Sequence, residues 1–201
     1  DARLDVNSVT VQKTAGGIFK LGIISIFISA VIDLIILYAD RRKKGLIHEG
    51  STEIFFVLFG TILFVSVPLY FGYLINGHDL QYHLLRIEGI KDGLLAGDFP
   101  IKIQSNWLKG NGYATAVFYG DLFLYIPAIL RLCGFSIAQS YNIYVFLCNA
   151  ATCVIAYFCF KGMSGRRKTA AVGAVLYTTS IYRLLDVYVR SSVGEYSAMT
   201  F

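Results

Sequence analysis

Four long runs of apolar residues dominate the pattern of this chain. They cover residues 17–39, 53–75, 140–160 and 169–185, and the last run is the shortest. A helix that crosses a bilayer needs about 20 predominantly apolar residues. The pattern therefore predicts an all-α polytopic membrane protein fragment with about four transmembrane helices.

Residues 79–95, which follow the second run, carry apolar and polar residues on separate faces at helical spacing. The apolar face, at i, i+4 and i+7 spacing, is formed by Leu80, Leu84, Ile87 and Leu94. Asp79, His83 and Arg86 follow the same spacing on a different face, and Gly97 is a typical helix end. We predict an amphipathic helix with one polar side.

The distribution of basic residues predicts the orientation of the spans. Loops 40–51 and 161–168 are short and basic, so the positive-inside rule places both in the cytoplasm. Residues 76–112 carry four acids and four bases and have no such bias. We therefore expect the whole loop 76–139, and the C-terminal end, to be extracytoplasmic.

Residues 118–135 form a further apolar segment, but the segment is short, contains Asp121 and is broken by Pro127. If it crossed the membrane, the basic loop 161–168 would lie outside. We predict an interfacial or re-entrant segment on the outer side. Asp121 is interpreted as a marker of the lipid–water boundary, or, with Tyr125, as a substrate contact. The tyrosines that suit the headgroup level are Tyr113, Tyr119 and Tyr125.

The composition agrees with a membrane location. Hydrophobic residues make up 56% and charged residues 15% of the chain, whereas soluble domains carry about 25% charged residues. The net charge of +5 is modest, and there is no basic helix or aromatic–basic motif, so we expect no nucleic-acid partner. The four cysteines form no CxxC pair and are expected to act as small hydrophobic residues. Because the chain starts at Asp1 and stops within its pattern, we expect it to be part of a longer polypeptide.

Asp79 is the first candidate for chemistry, since it lies just beyond the outer end of the second run. A carboxylate in that position could accept a proton from an attacking hydroxyl. It could equally be the N-cap of the helix that follows. The two roles are compatible.

His78, Asp79 and His83 form a weak candidate metal site. Asp79 and His83 are four residues apart, so both could face one divalent ion. The alternative is that each histidine is a structural or interfacial residue.

Arg190 and Glu195 form a second polar group, on the same predicted side as Asp79. A guanidinium matches phosphate oxygens with two bonds, so Arg190 is a candidate phosphate ligand. Glu195 could pair with Arg190 or with a substrate hydroxyl. A purely structural pair is the alternative.

Five short motifs follow one another from the second run onwards. They are Asp79, His83 and Arg86; Gly97, Phe99 and Pro100; Gly112 and Tyr113; Tyr125 and Pro127; and Arg190, Gly194 and Glu195. Together they resemble a family of large bacterial membrane proteins described as 6-pyruvoyl-tetrahydropterin synthase-related, which are similar to the bacterial YfhO membrane proteins. The zinc-binding histidine triad of the soluble synthase is not present in this chain.

The resemblance covers about residues 53–201 and implies two regions. Residues 51–201 resemble the N-terminal part of a membrane domain. Residues 1–50 hold an outer tail, the first span and a basic cytoplasmic loop, and they resemble the end of a preceding YfhO-like unit. The implied location is the bacterial plasma membrane.

This family in turn resembles the GT-C glycosyltransferases, which take a sugar from a polyprenyl-phosphate carrier on the outer face of the membrane. The resemblance implies that Asp79 is the catalytic base and that His83, Arg86, Arg190 and Glu195 bind substrate. Arg190 would bind the carrier phosphate, and His83 and Glu195 would orient the substrate or a divalent metal. The implied partners are the lipid bilayer, the lipid-linked sugar and the rest of the polypeptide. Two departures are the single acid, followed by Leu80, and the extra span before the second run.

The alternative hypothesis is a non-enzymatic protein: a transporter, flippase or scaffold for cell-envelope polymer assembly. A transport path would need polar residues in the middle of the spans. Runs 53–75 and 140–160 contain few of them, chiefly Asn142 and Asn149. The sequence therefore favours chemistry at the membrane surface.

Overall fold

The computed structural model of the protein describes residues 51–70, 77–105 and 107–201. The first apolar run, 17–39, and the whole predicted region 1–50 lie outside the described residues. Within the described ranges the chain is helical, without β-strands, as the sequence predicts. One isolated antiparallel bridge joins Gln104 and Tyr113.

Eight α-helices are found in the described ranges. In chain order they are α1 (Ser51–Tyr70), α2 (Leu80–Ala96), α3 (Thr115–Phe118), α4 (Tyr125–Leu132), α5 (Ile137–Ser164), α6 (Arg167–Thr178), α7 (Ile181–Leu185) and α8 (Val193–Ala198). Short 3₁₀ turns occupy Leu108–Gly110 and Leu122–Leu124, and a π-helical turn occupies Asp186–Arg190.

Two of these helices are long and apolar enough to cross a membrane. Thr52–Tyr70, within α1, has 19 residues and a mean hydropathy of 2.0, and α5 has 28 residues and the same mean hydropathy. They correspond to the predicted second and third spans. Only about a third of each apolar window is buried inside the protein, so most of its surface is free to face lipid.

The predicted fourth span, residues 169–185, is divided between two helices. α6 ends at Thr178, and α7 begins at Ile181. At 1.5 Å per residue the 12 residues of α6 extend about 18 Å, less than the ~30 Å of a bilayer core. Four spanning helices are therefore not confirmed.

α5 and α6 form a tightly linked helical hairpin. Ser136 and Gln139 cap the start of α5 reciprocally, because each side chain binds the backbone N–H of the other residue at 3.2 and 2.9 Å. Gly165 ends the helix in the left-handed conformation. At Gly173 of α6, a Cβ atom would lie 2.7 Å from the Phe160 ring, so the absent side chain allows the two helices to approach closely.

α2 matches the predicted amphipathic helix in its position, but its polar side is not exposed as predicted. Gly97 ends it with φ 85°, as expected. The predicted apolar face packs into the core. His83 and Arg86, however, are also buried, because residues 119–121 and the 3₁₀ turn that follows lie over the side predicted to be wet.

The structure of segment 118–135 agrees with the prediction that this segment does not cross the membrane. Its apolar helical part, Leu122–Leu132, is shorter than a span and packs on α2 and α5. The Tyr125 hydroxyl accepts a hydrogen bond from the backbone N–H of Ile101 at 3.1 Å.

Candidate functional site

Two chain segments distant in sequence meet through their backbones at the start of α2. The N–H of His78 donates to the carbonyl of Val189 at 3.0 Å, and the N–H of Asp79 donates to the carbonyl of Arg190 at 2.9 Å. Asp79 is thereby fixed beside Arg190. The two segments that the sequence singles out separately are thus joined through their backbones.

Local backbone geometry makes this approach possible. A Cβ atom on Gly77 would lie 1.9 Å from the Ser191 hydroxyl oxygen, so only glycine fits without displacement of the neighbour. Ser191 follows the π-helical turn in the left-handed region, with φ 56°. π-helical turns and strained residues of this kind occur frequently at functional sites.

The carboxylate of Asp79 points away from the helix that it precedes. Asp79 occupies the N-cap position of α2, but its side chain makes no hydrogen bond to the helix backbone. Instead, its Oδ2 atom accepts a hydrogen bond from the Ser192 hydroxyl at 3.4 Å. The residue is exposed. The interpretation of this side chain as a helix cap is therefore wrong.

Arg190 is held by two acids at once. Its Nη1 atom donates to Asp186 Oδ1 at 2.6 Å and to Glu195 Oε2 at 2.7 Å, and its Nη2 atom donates to Glu195 Oε1 at 2.8 Å. Glu195 therefore occupies the two-pronged edge that a phosphate would use. We call Arg190, its two acidic partners Asp186 and Glu195, and Asp79, which is joined to the same segment through backbone hydrogen bonds and Ser192, the carboxylate cluster.

The acids of the carboxylate cluster lie in different surroundings. The hydrogen bonds of Arg190 lower the pKa of Glu195, and Glu195 in turn raises the pKa of Arg190. Burial raises the pKa of Asp186, and the nearby charge of Glu195 raises it further. The side chains of Arg190 and Glu195 are 42% and 44% exposed, whereas that of Asp186 is buried. Asp79 and Glu195 thus offer accessible oxygen atoms for hydroxyl groups.

The other two predicted substrate ligands lie inside the protein. Arg86 is 1% exposed and forms an ion pair with Asp121. The Nη2 atom of Arg86 also donates to the carbonyls of Tyr119 and Gly120, at 3.1 and 3.0 Å. Asp121 is itself only 7% exposed, so its interpretation as a marker of the lipid–water boundary is wrong.

His83 is neutral and faces Arg86. Burial lowers its pKa to about 4, and the positive charge of Arg86 contributes to the shift. Nδ1 lies 3.4 Å from Nη1 of Arg86. Since arginine only donates, Nδ1 is the acceptor and Nε2 carries the proton.

No group of three or more histidine, cysteine, aspartate or glutamate side chains could hold a metal ion within the described residues. His78, which precedes α2, is exposed, whereas His83, which lies within α2, is buried. The predicted set His78, Asp79 and His83 does not converge there.

An open groove of about 340 Å³ lies next to the carboxylate cluster. It is lined by Phe118, Tyr119, Gly120, Leu122, Phe123 and Gly194. Gly194 precedes Glu195, and a Cβ atom on Gly194 would lie 3.8 Å from the Tyr119 ring. The groove therefore connects the residues around Arg86 with the segment that carries Glu195.

The sequence analysis missed a buried polar network around Arg183. The Nη2 atom of Arg183 donates to Asn149 Oδ1 at 2.8 Å and to Thr152 Oγ1 at 3.1 Å. The Asn149 amide donates to Ser66 and Tyr188, so the network joins α1, α5 and the π-helical turn. An arginine within the apolar run 169–185 was the available signal. Asp186 and Ser192 were also missed, and no sequence motif marked them.

Comparison with known proteins identifies no family. No family model matches the chain, and no solved structure matches it. A protein from Lactococcus lactis subsp. cremoris (strain MG1363), named only as an uncharacterized protein, is 23% identical over 170 residues. The match covers 81% of this chain but 27% of that protein, so the chain spans about a quarter of its relative's length.

Proposed function

We propose that this chain is part of a GT-C-type membrane glycosyltransferase, which transfers a sugar from a polyprenyl-phosphate carrier to a cell-envelope acceptor on the extracytoplasmic face. The observation that supports this most directly is the carboxylate cluster. In it, the exposed residue Asp79 is joined through its backbone N–H to the carbonyl of Arg190, whose side chain is accessible to solvent.

Asp79 is the proposed catalytic base. It accepts the proton of an acceptor hydroxyl while the hydroxyl oxygen forms a bond to the anomeric carbon of the donor sugar. The bond between that carbon and the carrier phosphate oxygen breaks, and the phosphate leaves with the electron pair. Asp79 suits this role because its carboxylate is exposed and, among the described residues, accepts a single long hydrogen bond, from Ser192.

Arg190 is proposed to bind the departing phosphate. Its present partner, Glu195, is almost half exposed, so solvent and anions can reach the ion pair. A phosphate matches the same two-pronged edge and can replace the Glu195 carboxylate on the guanidinium. Glu195, once released, can accept hydrogen bonds from sugar hydroxyls.

His83 and Arg86 are proposed as positioning residues, because both are buried. Arg86 holds the backbone of Tyr119 and Gly120 through hydrogen bonds, and Tyr119 lines the groove. Their effect on a substrate is thus indirect.

The proposed topology follows from charge and chain order. Lys161, Arg166 and Lys168 surround the turn between α5 and α6, which is the end assigned to the cytoplasm. Along the chain, Asp79 comes after α1, and Arg190 and Glu195 come after α6 and α7. We assign this side of the membrane to the exterior.

The alternative of a transporter or flippase requires polar groups along an open path. Asn149 and Arg183 belong to a buried polar network that also contains Ser66, Thr152 and Tyr188, and its members are bonded to one another. This arrangement favours a structural role for them. The geometry thus supports surface chemistry over transport.

The test is transfer from a panel of polyprenyl-phosphate sugars by the complete protein in nanodiscs. We expect Asp79→Asn to lower the rate by about 100-fold or more, since a general base contributes roughly 10²–10⁴-fold. Asp98→Asn is the matched control, because Asp98 is an exposed acid of the same loop outside the carboxylate cluster. Melting temperatures should be the same for both variants.

Two results would contradict the proposal. An unchanged rate in Asp79→Asn would remove Asp79 as the base. Absence of transfer from every donor, by a wild-type protein that is well folded, would exclude the transferase and favour the transport or scaffold alternative.

A further inference from the structure

Two sets of contacts hold the π-helical turn Asp186–Arg190 in place. In the first, the carbonyls of Val189 and Arg190 accept the backbone N–H groups of His78 and Asp79, at 3.0 and 2.9 Å. The last carbonyls of a helical segment have no partners within that segment, so this attachment satisfies them. The position of the turn therefore determines where both Asp79 and Arg190 lie.

The second set of contacts is made by the side chain of Tyr188, which lies in the middle of the turn and is only 6% exposed. Its hydroxyl donates a hydrogen bond to the carbonyl of Val65 in α1, and it accepts one from the Asn149 amide of α5 at 3.0 Å. The hydroxyl thus connects the turn to the two helices that are long and apolar enough to cross a membrane.

Asn149, the donor to this hydroxyl, is itself held by further side chains. Its amide nitrogen also donates to Ser66 Oγ at 3.1 Å, and its amide oxygen accepts from Arg183 Nη2 at 2.8 Å. All of these residues are buried. Buried hydrogen bonds are strong, and a buried polar group that loses its partner is costly. The Tyr188 hydroxyl therefore has a partner whose orientation is fixed.

The π-helical turn depends on such support. Turns of this kind are rare, and they occur mostly as single turns, frequently at functional sites. The residue that follows this one, Ser191, has φ 56°, in the left-handed region. A residue other than glycine keeps that conformation only when the surrounding structure holds it.

We propose that Tyr188 is a positioning residue for both Asp79 and Arg190. Its hydroxyl holds the π-helical turn to α1 and α5, and it thereby fixes the carbonyls to which Asp79 is attached and the segment that carries Arg190. The inference rests on the proposed function for the part that these two residues take in transfer, whereas the attachment itself does not. The buried network around Arg183, which contributes no side chain to the carboxylate cluster, thus supports that cluster.

The first test is hydrogen–deuterium exchange of the complete protein in nanodiscs, with mass spectrometry of peptides that contain residues 77–80. Tyr188→Phe keeps the ring and removes the hydroxyl. We expect the amide hydrogens of His78 and Asp79 to exchange about tenfold faster in this variant, because the turn that holds their acceptors opens more often. Ser66→Ala, which removes one bond of Asn149, should give a smaller acceleration.

Tyr144→Phe is the matched control. Tyr144 is 1% exposed and its hydroxyl oxygen lies 2.6 Å from Ser197 Oγ, so this variant also loses a bonded, buried hydroxyl, but outside the π-helical turn. Exchange at His78 and Asp79 should keep the wild-type rate. The proposal is overturned if Tyr188→Phe exchanges like the wild type there, or if both tyrosine variants accelerate exchange equally.

Kinetics extend the test to the reaction. Tyr188→Phe should lower kcat/KM for the lipid-linked donor by about 10- to 100-fold, since a small displacement of reacting groups has effects of this size. The KM of the donor should rise, because Arg190 is displaced. A variant that only unfolds in part loses active enzyme without a change in KM. Tyr144→Phe should leave the KM unchanged.

The two measurements separate this inference from the transferase. Faster exchange in Tyr188→Phe, with no transfer from any donor by the wild type, would keep the attachment and reject the transferase. Transfer by the wild type, with unchanged exchange in Tyr188→Phe, would keep the transferase and reject the role of Tyr188. Faster exchange with unchanged kinetics would also reject that role, because the loosened turn would then have no effect on the reacting groups.

Discussion

Arg86 and Arg190 each bind a carboxylate, but the two ion pairs lie in opposite surroundings. Arg86 and Asp121 are sealed inside the protein, and Arg86 also binds two backbone carbonyls. Arg190 and Glu195 lie open to solvent next to Asp79. The same kind of arginine–carboxylate pair therefore has two different roles in the protein.

The two ion pairs differ in how readily the arginine can exchange its carboxylate partner. A buried pair cannot give up a partner without leaving an uncompensated charge in a medium of low dielectric constant. An exposed pair can exchange its carboxylate for water, a phosphate or a hydroxyl without leaving a buried charge unpaired. Burial thus makes Arg86 part of the scaffold, and exposure makes Arg190 a candidate ligand.

The largest effect should come from breaking the buried pair. Asp121→Asn leaves the charge of Arg86 without a counter-ion, and we expect a loss of about 3–5 kcal/mol in the free energy of unfolding. Thermal and denaturant unfolding in detergent or nanodiscs measures this loss. The double variant Arg86→Met with Asp121→Leu removes both charges and should recover much of the stability. A change below about 1 kcal/mol in Asp121→Asn would contradict a sealed pair.

A smaller effect should appear in the dependence of stability on pH. His83 takes up a proton near pH 6.5 in the unfolded chain, but only near its pKa of about 4 in the folded protein. Between these values the unfolded state binds more protons, so the free energy of unfolding falls as the pH is lowered, by up to about 1.4 kcal/mol per pH unit.

The variant His83→Gln lacks this titration. Its unfolding profile between pH 7 and pH 4 should therefore be flatter than that of the wild type. His78→Gln removes an exposed histidine of the same segment and should keep the wild-type profile. Equal slopes for the wild type and His83→Gln would show that His83 is not buried beside a positive charge.

The smallest effect on stability should come from the exposed pair. Glu195→Gln leaves Arg190 bonded to Asp186, and the released guanidinium edge is solvated, so the melting temperature should hardly change. Any difference should vanish at high salt, because ions screen exposed charges. A loss as large as that of Asp121→Asn would show that both pairs belong to the scaffold, and the comparison would fail.

The pattern of apolar residues was sufficient to predict the long helices and the position of α2. An apolar run of span length predicts the same helix in any surroundings, and Gly97 ends α2 as glycine ends many helices. The sequence also suggested that Arg190 and Glu195 form a pair, because they lie five positions apart along the chain.

Long-range contacts could not be predicted in this way. A polar face at helical spacing usually faces water, and nothing in the sequence indicates that Asp121, 35 residues further along, buries Arg86. The attachment of Asp79 to the segment around Arg190 uses backbone atoms, which every residue carries. The fourth span is not confirmed for a local reason, since the chain leaves the helix between Thr178 and Ile181.

The attachment of Asp79 to the chain around Ser192 also sets an order of events during biosynthesis. These residues lie 113 positions apart, and α5 and α6 lie between them. At about 5–20 residues per second, the ribosome needs on the order of ten seconds after making Asp79 before Ser192 exists. The ribosome therefore makes α5 before the carboxylate cluster can close. A closed cluster is a sign that this part of the chain has folded.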